Sequence, residues 1–159
     1  MSYCLAIKVN EGLVFASDSR TNAGLDNVNT YSKMFTYNVG DRAFVILTAG
    51  NLATSQAVYH QLEKDLNAPN PEINLNLCED LEAVAAYIGQ LSIASSNQSL
   101  EVQSQSSLMG SNFILGGQIR NQDPNILMIY PEGNYIYASS ESPFLQIGET
   151  KYGKPILDR

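Results

Sequence analysis

Residues 2–20, SYCLAIKVNEGLVFASDSR, decide the fold of this chain. Apolar residues alternate with others from Ser2 to Val9, which is the pattern of a β-strand with one buried face. Asn10-Glu11-Gly12 has the composition of a tight hairpin turn, and Leu13–Ser17 supplies a second apolar strand. The sequence therefore predicts an N-terminal β-hairpin whose first strand begins at Ser2.

The rest of the chain divides into a run of strands, a pair of helices and a second run of strands. We predict a polar loop over Asp18 to Asn29, with Gly24 at a positive φ, and a long loop or mobile helix end over Ser95 to Gly110. The helices are predicted from apolar residues at helical spacing. The predicted strands and helices are Lys33–Tyr37, Ala43–Ala49, the helices Leu52–Leu66 and Glu79–Ala94, then Asn112–Ile119, Ile126–Tyr130, Tyr135–Ser139 and Phe144–Ile147.

This segregation of strands and helices predicts an α+β layered fold, formed by residues 1–159 as a single domain. The two helices can cover one face of a sheet. No predicted element remains to cover the outer face of a second sheet. We therefore expect further helices beyond Arg159, or cover from another chain.

Composition excludes several classes of function. The formal net charge is -7 and the pI about 4.5, so we expect no nucleic-acid partner. No apolar run approaches the roughly 20 residues of a membrane-spanning helix, so we expect no membrane association and a cytoplasmic location. Two cysteines and one histidine, His60, predict neither a disulfide framework nor a metal site, and we expect no cofactor.

The position of Ser2 raises one catalytic possibility. Aminopeptidases remove Met1 when a small residue follows, so we expect the mature chain to start at Ser2. A serine at a free N-terminus carries an amine that can serve as the base for its own hydroxyl. Most chains that begin Met-Ser make no use of this chemistry, so the feature needs support from other motifs.

That support comes from a set of segments matching one family. Ser2 at a strand start, residues 16–24 (ASDSRTNAG), Lys33 and Thr48-Ala49-Gly50 before a helix together resemble a proteasome β-type subunit. Within that N-terminal-nucleophile hydrolase superfamily, residues 17–27 and 49–54 are most similar to Anbu, the bacterial proteasome homologue. Residues 148–155 (GETKYGKP) are similar to that family as well.

The resemblance implies a fold and a function. The fold would be the αββα sandwich of N-terminal-nucleophile hydrolases, here lacking the C-terminal helical layer because the chain matches the N-terminal two-thirds of a subunit. The function would be hydrolysis of peptides or unfolded proteins inside a homo-oligomer, either a ring or an open spiral. Whether a regulatory ATPase takes part is unknown.

The resemblance also implies roles for four catalytic residues. Ser2 would supply the hydroxyl nucleophile and the amine base. Lys33 would lower the pKa of both groups, and Asp18 would hold Lys33 charged and in place. The Gly50 N–H would stabilise the oxyanion. Each residue also has an ordinary alternative: a small second residue, a solvated strand-end lysine, a loop-capping aspartate and a turn glycine.

Two threonines are implied in substrate binding, and two positions depart from the family pattern. Thr21 would pair with extended substrate, and Thr48 would line the pocket for the residue before the scissile bond. Cys4 would point to the same face as Ser2, as a second reactive group or as a small buried hydrophobe. Gly148-Glu149-Thr150 replaces the family's glycine-serine-glycine element, so a supporting serine is not matched.

Two other functions stay open at the level of sequence. One is a small-molecule amide hydrolase of the same superfamily. The other is a catalytically silent subunit that serves assembly, which a retained Met1 would favour because it would acylate the proposed base.

Overall fold

A computed structural model of the protein describes residues 2–22, 28–100 and 110–158. Strands account for most of the regular structure and are, in chain order, β1 Tyr3–Val9, β2 Gly12–Ser17, β3 Arg20–Asn22, β4 Val28–Thr30, β5 Met34–Val39, β6 Arg42–Gly50, β7 Ser111–Ile119, β8 Asn125–Ile129, β9 Tyr135–Tyr137 and β10 Phe144–Gly148. The helices are α1 Leu52–Asn67, α2 Leu81–Leu100, a 3₁₀ turn at Thr150–Tyr152 and α3 Lys154–Leu157.

Two antiparallel sheets form the body of the molecule. One has three strands in the order β10-β1-β2, and the other has five strands in the order β5-β6-β7-β8-β9. Strands β3 and β4 pair with each other as a separate two-stranded ribbon. The predicted hairpin is confirmed, because β1 pairs with β2 from Cys4 opposite Ser17 to Val9 opposite Gly12.

Strand β6, an inner strand of the five-stranded sheet, is buried on both faces and separates two hydrophobic cores. Phe44 and Ile46 point to the core shared with the two long helices. Leu47 and Ala49 point to the other core, where they meet residues of the three-stranded sheet such as Cys4. Side chains alternate along a strand, so one strand serves both cores. The layers are therefore helices, five-stranded sheet and three-stranded sheet, which confirms the predicted α+β sandwich.

The outer face of the three-stranded sheet carries apolar side chains. Leu5 and Ile7 alternate with the buried Cys4 and Ala6 and are half-buried, while Val14 is 52% exposed. Within the described ranges, both long helices pack on the five-stranded sheet instead. Within the described residues, the two long helices therefore leave this face uncovered.

Several boundaries differ from the sequence-based prediction. The predicted polar loop after Asp18 contains the β3–β4 ribbon, and Gly24 lies outside the described residues. Helix α2 starts at Leu81 because Asp80 accepts a hydrogen bond from the Ala83 N–H at 2.8 Å, as an N-cap residue does. The same helix continues through residue 100, beyond its predicted end. No helix in the described ranges is long and apolar enough to cross a membrane.

The close approach of the two sheets generates a prediction at Gly116 in β7. A β-carbon at this position would overlap the ring of Phe15 in β2, which packs directly over the glycine. We expect Gly116→Ala to lower the free energy of unfolding by about 1–3 kcal/mol, the usual range for overpacking. Urea unfolding measures this loss. Combining it with Phe15→Leu should restore part of the loss, and strictly additive losses would contradict the proposed contact.

Candidate active site

The Asp18 carboxylate connects the start of β1 to the start of β5. Its Oδ1 accepts a hydrogen bond from the Tyr3 N–H at 2.7 Å, and its Oδ2 accepts one from the Lys33 Nζ, also at 2.7 Å. The Asp18 N–H in turn donates to the Tyr3 carbonyl at 3.1 Å. One side chain therefore fixes both the backbone next to Ser2 and the ammonium group of Lys33.

Lys33 is an unusual lysine because its side chain is only 5% exposed. Besides the ion pair with Asp18, its Nζ donates to the backbone carbonyl of Arg20. A buried ammonium group requires such partners, because leaving water without them is costly. The ordinary alternative of a solvated strand-end lysine is therefore wrong.

The environment of Asp18 lowers the pKa of its carboxyl group. Partial burial raises this pKa, but the hydrogen bonds from Lys33 and the Tyr3 backbone, together with the positive charge of Lys33, outweigh burial. The pKa therefore lies below its ordinary value of 3.8. Asp18 stays ionised under neutral conditions and balances the charge of Lys33.

A cleft of about 130 Å³ opens beside this ion pair. It contains four of the predicted site residues, namely Ser2, Lys33, Thr48 and Gly50. The other residues that line it are Tyr31, Ser32, Phe35, Ala49, Leu52, Ser55, Gln56 and Tyr59. Asp18 touches Lys33 behind the cleft, so five of the six predicted site residues are close together.

Gly50 ends β6 in a conformation that requires glycine. Its φ is +122°, and a β-carbon there would lie 2.7 Å from the carbonyl oxygen of Gly110. The next residue, Asn51, caps helix α1 by accepting a hydrogen bond from the Thr54 N–H at 3.0 Å. Gly50 therefore places its backbone in the cleft wall at the positive end of a helix.

A buried network of hydroxyl groups holds this corner together. The Thr48 and Ser55 hydroxyl oxygens are 2.7 Å apart, and those of Ser55 and Ser111 are 3.1 Å apart. Ser55 and Ser111 both donate to the Asn51 carbonyl, at 3.0 and 2.8 Å. The network links the ends of β6, α1 and β7. Sequence reasoning missed Ser55 and Ser111, whose only signal is their hydroxyl chemistry.

Ser2 is held by the backbone of the last strand. The Glu149 N–H donates to the Ser2 carbonyl at 2.7 Å, and Gly148 pairs with Tyr3. Gly148 has a φ of +89°, and a β-carbon on it would overlap the Ser2 carbonyl. The segment matched by resemblance alone thus contacts the proposed nucleophile through backbone atoms.

The aromatic wall of the cleft comes from Phe35 and Tyr59, whose rings stack with centroids 3.4 Å apart. The Tyr59 side chain is buried, and burial raises the pKa of its hydroxyl far above the ordinary value. Within the described part of the chain, this hydroxyl has no hydrogen-bond partner that meets normal geometry. Tyr59 belongs to the same face of α1 as Leu52 and Ser55, which also line the cleft.

Cys4, Thr21 and His60 complete the residues considered from the sequence. Cys4 is fully buried and donates to the Thr48 carbonyl at 3.4 Å, and burial raises the pKa of its thiol to about 12. It is therefore a buried hydrophobe, as one of the two predictions had it. Thr21 lies in β3 opposite Asn29, and its side chain lies outside the described residues. His60 is exposed.

The described residues hold no group of three or more His, Cys, Asp or Glu side chains able to bind a metal ion. The groups that face the cleft are hydroxyls, an ammonium group and backbone amides. Their chemistry suits acyl transfer by an activated hydroxyl.

Solved structures with high similarity to this chain share one description. Anbu (ancestral beta-subunit) from Yersinia bercovieri is 39% identical with a TM-score of 0.90, and the match covers 99% of this chain and 65% of that one. The Anbu complex of Pseudomonas aeruginosa, described as a helical assembly, is 41% identical with a TM-score of 0.91, covering 99% and 65%. Anbu from Hyphomicrobium sp. strain MC1 is 36% identical with a TM-score of 0.78, covering 99% and 67%.

The chain belongs to the Anbu family. No family model and no curated protein sequence matches it. It spans about 65% of the length of the first Anbu structures it matches. The resemblance stated from residues 16–24, Lys33 and Thr48-Ala49-Gly50 is thereby confirmed, and the chain is a proteasome-like member of the N-terminal-nucleophile hydrolases.

The ion pair of this Anbu-family chain predicts a specific acid dependence of stability. Folding lowers the pKa of Asp18 below its ordinary value of 3.8. The contribution of Asp18 to the free energy of unfolding is therefore fully present above pH 3.8, and it is lost as the pH falls through the lowered pKa of the folded state. We expect Asp18→Asn to reduce stability above about pH 5 and to flatten its decline below pH 4. Urea unfolding across this range tests the change. Asp123→Asn, at an exposed position, is the control and should keep the wild-type dependence of stability on pH.

The close contact between Gly148 and the Ser2 carbonyl predicts that residue 148 must be glycine. We expect Gly148→Ala to lower the free energy of unfolding by about 1–3 kcal/mol and to displace Ser2, because the methyl group meets the Ser2 carbonyl. Gly40→Ala is the matched control: its φ is +62°, but nothing lies within 4 Å of its β-carbon. Only the Gly148 variant should slow chemical modification of Ser2. Equal effects of the two variants would contradict a specific role of Gly148 in positioning Ser2.

Proposed function

We propose that this chain is a proteasome-like peptidase subunit that hydrolyses peptide bonds through Ser2 after removal of Met1. The observation that carries the proposal is the double hydrogen bonding of Asp18, which ties Lys33 to the backbone beside Ser2 at the edge of a cleft. A buried, paired lysine that lines the same cleft as a serine is an arrangement suited to nucleophilic catalysis.

The proposed reaction proceeds in two stages. The Ser2 Oγ attacks the substrate carbonyl carbon while the Ser2 amine accepts the hydroxyl proton, directly or through a water molecule. The intermediate collapses to an ester as the amine returns that proton to the leaving nitrogen. Water, deprotonated by the same amine, then hydrolyses the ester, and the Ser2 oxygen leaves with the proton.

Lys33 and Gly50 would assist at different atoms. The positive charge of Lys33 lowers the free energy of the serine oxygen as negative charge develops on it. The Gly50 N–H would donate to the oxyanion, helped by the positive end of α1. The Thr48–Ser55–Ser111 network supports that corner, so the donor needs little reorganisation when charge develops.

Substrate binding and assembly complete the proposal. Strand β3, which carries Thr21, offers an extended backbone for pairing with a peptide, and Thr48 lines the cleft. Peptides or unfolded proteins would be the substrates. The helical assembly described for the Pseudomonas aeruginosa relative supports a homo-oligomer, which we propose as a ring or open spiral in the cytoplasm.

The proposal predicts that a peptide epoxyketone or a β-lactone adds its mass to the N-terminal peptide at Ser2. Ser2→Ala should abolish both this adduct and peptide hydrolysis, and Lys33→Ala and Asp18→Asn should each reduce hydrolysis by about 10²–10⁴-fold without preventing assembly. Intact mass and peptide hydrolysis are the measurements. Ser32→Ala is the control, because Ser32 is a second serine in the same cleft.

Three outcomes would redirect the assignment. Hydrolysis that survives Ser2→Ala would place the nucleophile elsewhere. A large oligomer with no adduct, from a chain that has lost Met1, would favour the silent assembly subunit. Hydrolysis of small amides but not of peptides would favour the small-molecule amide hydrolase.

A further inference from the structure

We propose that the loop between α1 and α2, residues 68–80, is a docking surface for a partner protein. The segment of the partner that fits this loop carries aliphatic side chains flanked by lysine or arginine. The loop is separate from the cleft, because α1 begins beside the cleft and is 16 residues, or about 24 Å, long. The inference therefore goes beyond the proposed function and does not depend on the reactivity of Ser2.

Two aliphatic side chains of the loop point into water. Ile73 is 41% exposed and Leu77 is 55% exposed, and they lie four residues apart. Leu75, between them, is buried and belongs to the core shared with the helices. The inner side of the loop is therefore packed, whereas its outer side leaves two large apolar groups uncovered within the described part of the chain.

Hydrogen bonds hold the loop in this conformation. The buried Asn74 side chain accepts from the Leu77 N–H at 3.0 Å, and the Asn74 carbonyl accepts from the Cys78 N–H at 3.3 Å. From below, Arg42 donates to the carbonyls of Leu75 and Cys78 at 3.0 and 2.7 Å. A surface that is ordered in advance loses little conformational entropy on binding, so these contacts prepare the exposed aliphatic groups for a partner.

The helical layer that contains the loop is acidic. Residues 51–100 carry one lysine, Lys64, no arginine and six carboxylates, namely Glu63, Asp65, Glu72, Glu79, Asp80 and Glu82. Glu72 and Glu79 are exposed on the loop itself. An aliphatic surface bordered by carboxylates is complementary to a segment whose aliphatic side chains have cationic neighbours.

The same charges disfavour the other classes of occupant. Two copies of this chain that met through their helical layers would bring carboxylates together, and like charges across an interface are strongly unfavourable. The formal net charge of -7 adds to this repulsion, and it also repels nucleic acid and anionic lipid. A cationic protein segment is the class of partner that suits both the apolar and the acidic parts of the surface.

The test measures the binding of short fluorescent peptides by anisotropy. The lysine peptide places two leucines four positions apart among lysines. The serine peptide replaces its leucines by serine, and the glutamate peptide replaces its lysines by glutamate. We expect the lysine peptide to bind with a dissociation constant of about 1 mM or tighter, and the other two to bind at least about tenfold more weakly. The Ser2→Ala variant should bind the lysine peptide with wild-type affinity, because the cleft takes no part.

Apolar variants of the chain locate the peptide on the loop. Ile73→Ser combined with Leu77→Ser should weaken binding of the lysine peptide at least about tenfold, because binding buries these two side chains. Ile156→Ser is the matched control: Ile156 is 72% exposed but lies in α3, so the affinity should not change. Urea unfolding should give all of these variants a stability close to that of the wild type, because the replaced side chains already face water.

Charge reversal tests the acidic border of the loop. Glu72→Lys combined with Glu79→Lys should weaken binding of the lysine peptide by about fivefold and strengthen binding of the glutamate peptide by a similar factor, as expected for exposed ion pairs. Glu11→Lys combined with Glu141→Lys makes the same change in net charge at exposed positions outside the helical layer. This control should change both affinities by less than the loop variant does.

Four results would overturn the inference. They are the absence of binding of the lysine peptide at 1 mM, equal binding of the lysine and glutamate peptides, and wild-type affinity in the Ile73–Leu77 double variant. The fourth is self-association of the wild-type chain that disappears in this double variant, because it would assign the loop to a second copy. A chain that binds the lysine peptide through the loop but whose Ser2 reacts with no epoxyketone or β-lactone would overturn the proposed function alone.

Discussion

The arrangement of this molecule depends on one carboxylate that bonds in two directions. Asp18 binds the Tyr3 backbone through one oxygen and Lys33 through the other, so it joins the leading ends of strands that belong to different sheets. Both contacts are needed to hold the site together. The buried ammonium group of Lys33 requires a counter-charge, and the backbone N–H at the start of β1 requires a hydrogen-bond acceptor. The cleft lies where these two requirements are met.

Backbone contacts give the cleft its remaining definition. Gly50 and Gly148 both have positive φ values, and each lies too close to a carbonyl oxygen for any side chain to fit. Between them, the hydroxyls of Thr48, Ser55 and Ser111 tie two strands and a helix to one another. A site built from such short-range constraints is preorganised, which is what charge stabilisation during acyl transfer demands.

The sequence predicted those parts that local pattern controls. The β1–β2 hairpin and the start of α1 follow from alternation, turn chemistry and helical spacing. The β3–β4 ribbon was missed because its polar residues show no burial pattern, and the end of α2 was left open between a loop and a helix end because its serines and glutamines show no helical apolar pattern. Resemblance led to Asp18 and Lys33, but Ser55, Ser111 and Tyr59 depend on pairings across the fold that no local pattern reveals.

The two cysteines lie in different cores of the same molecule. Cys4 is fully buried between the sheets, and Cys78 is 4% exposed between the helices and the larger sheet. Burial raises the pKa of both thiols, so neither forms a thiolate readily in the folded chain. Alkylation of each sulfur therefore requires local opening of the core that contains it. The alkylation rate of Cys4 would report opening between the two sheets, and that of Cys78 would report opening between the helices and the larger sheet.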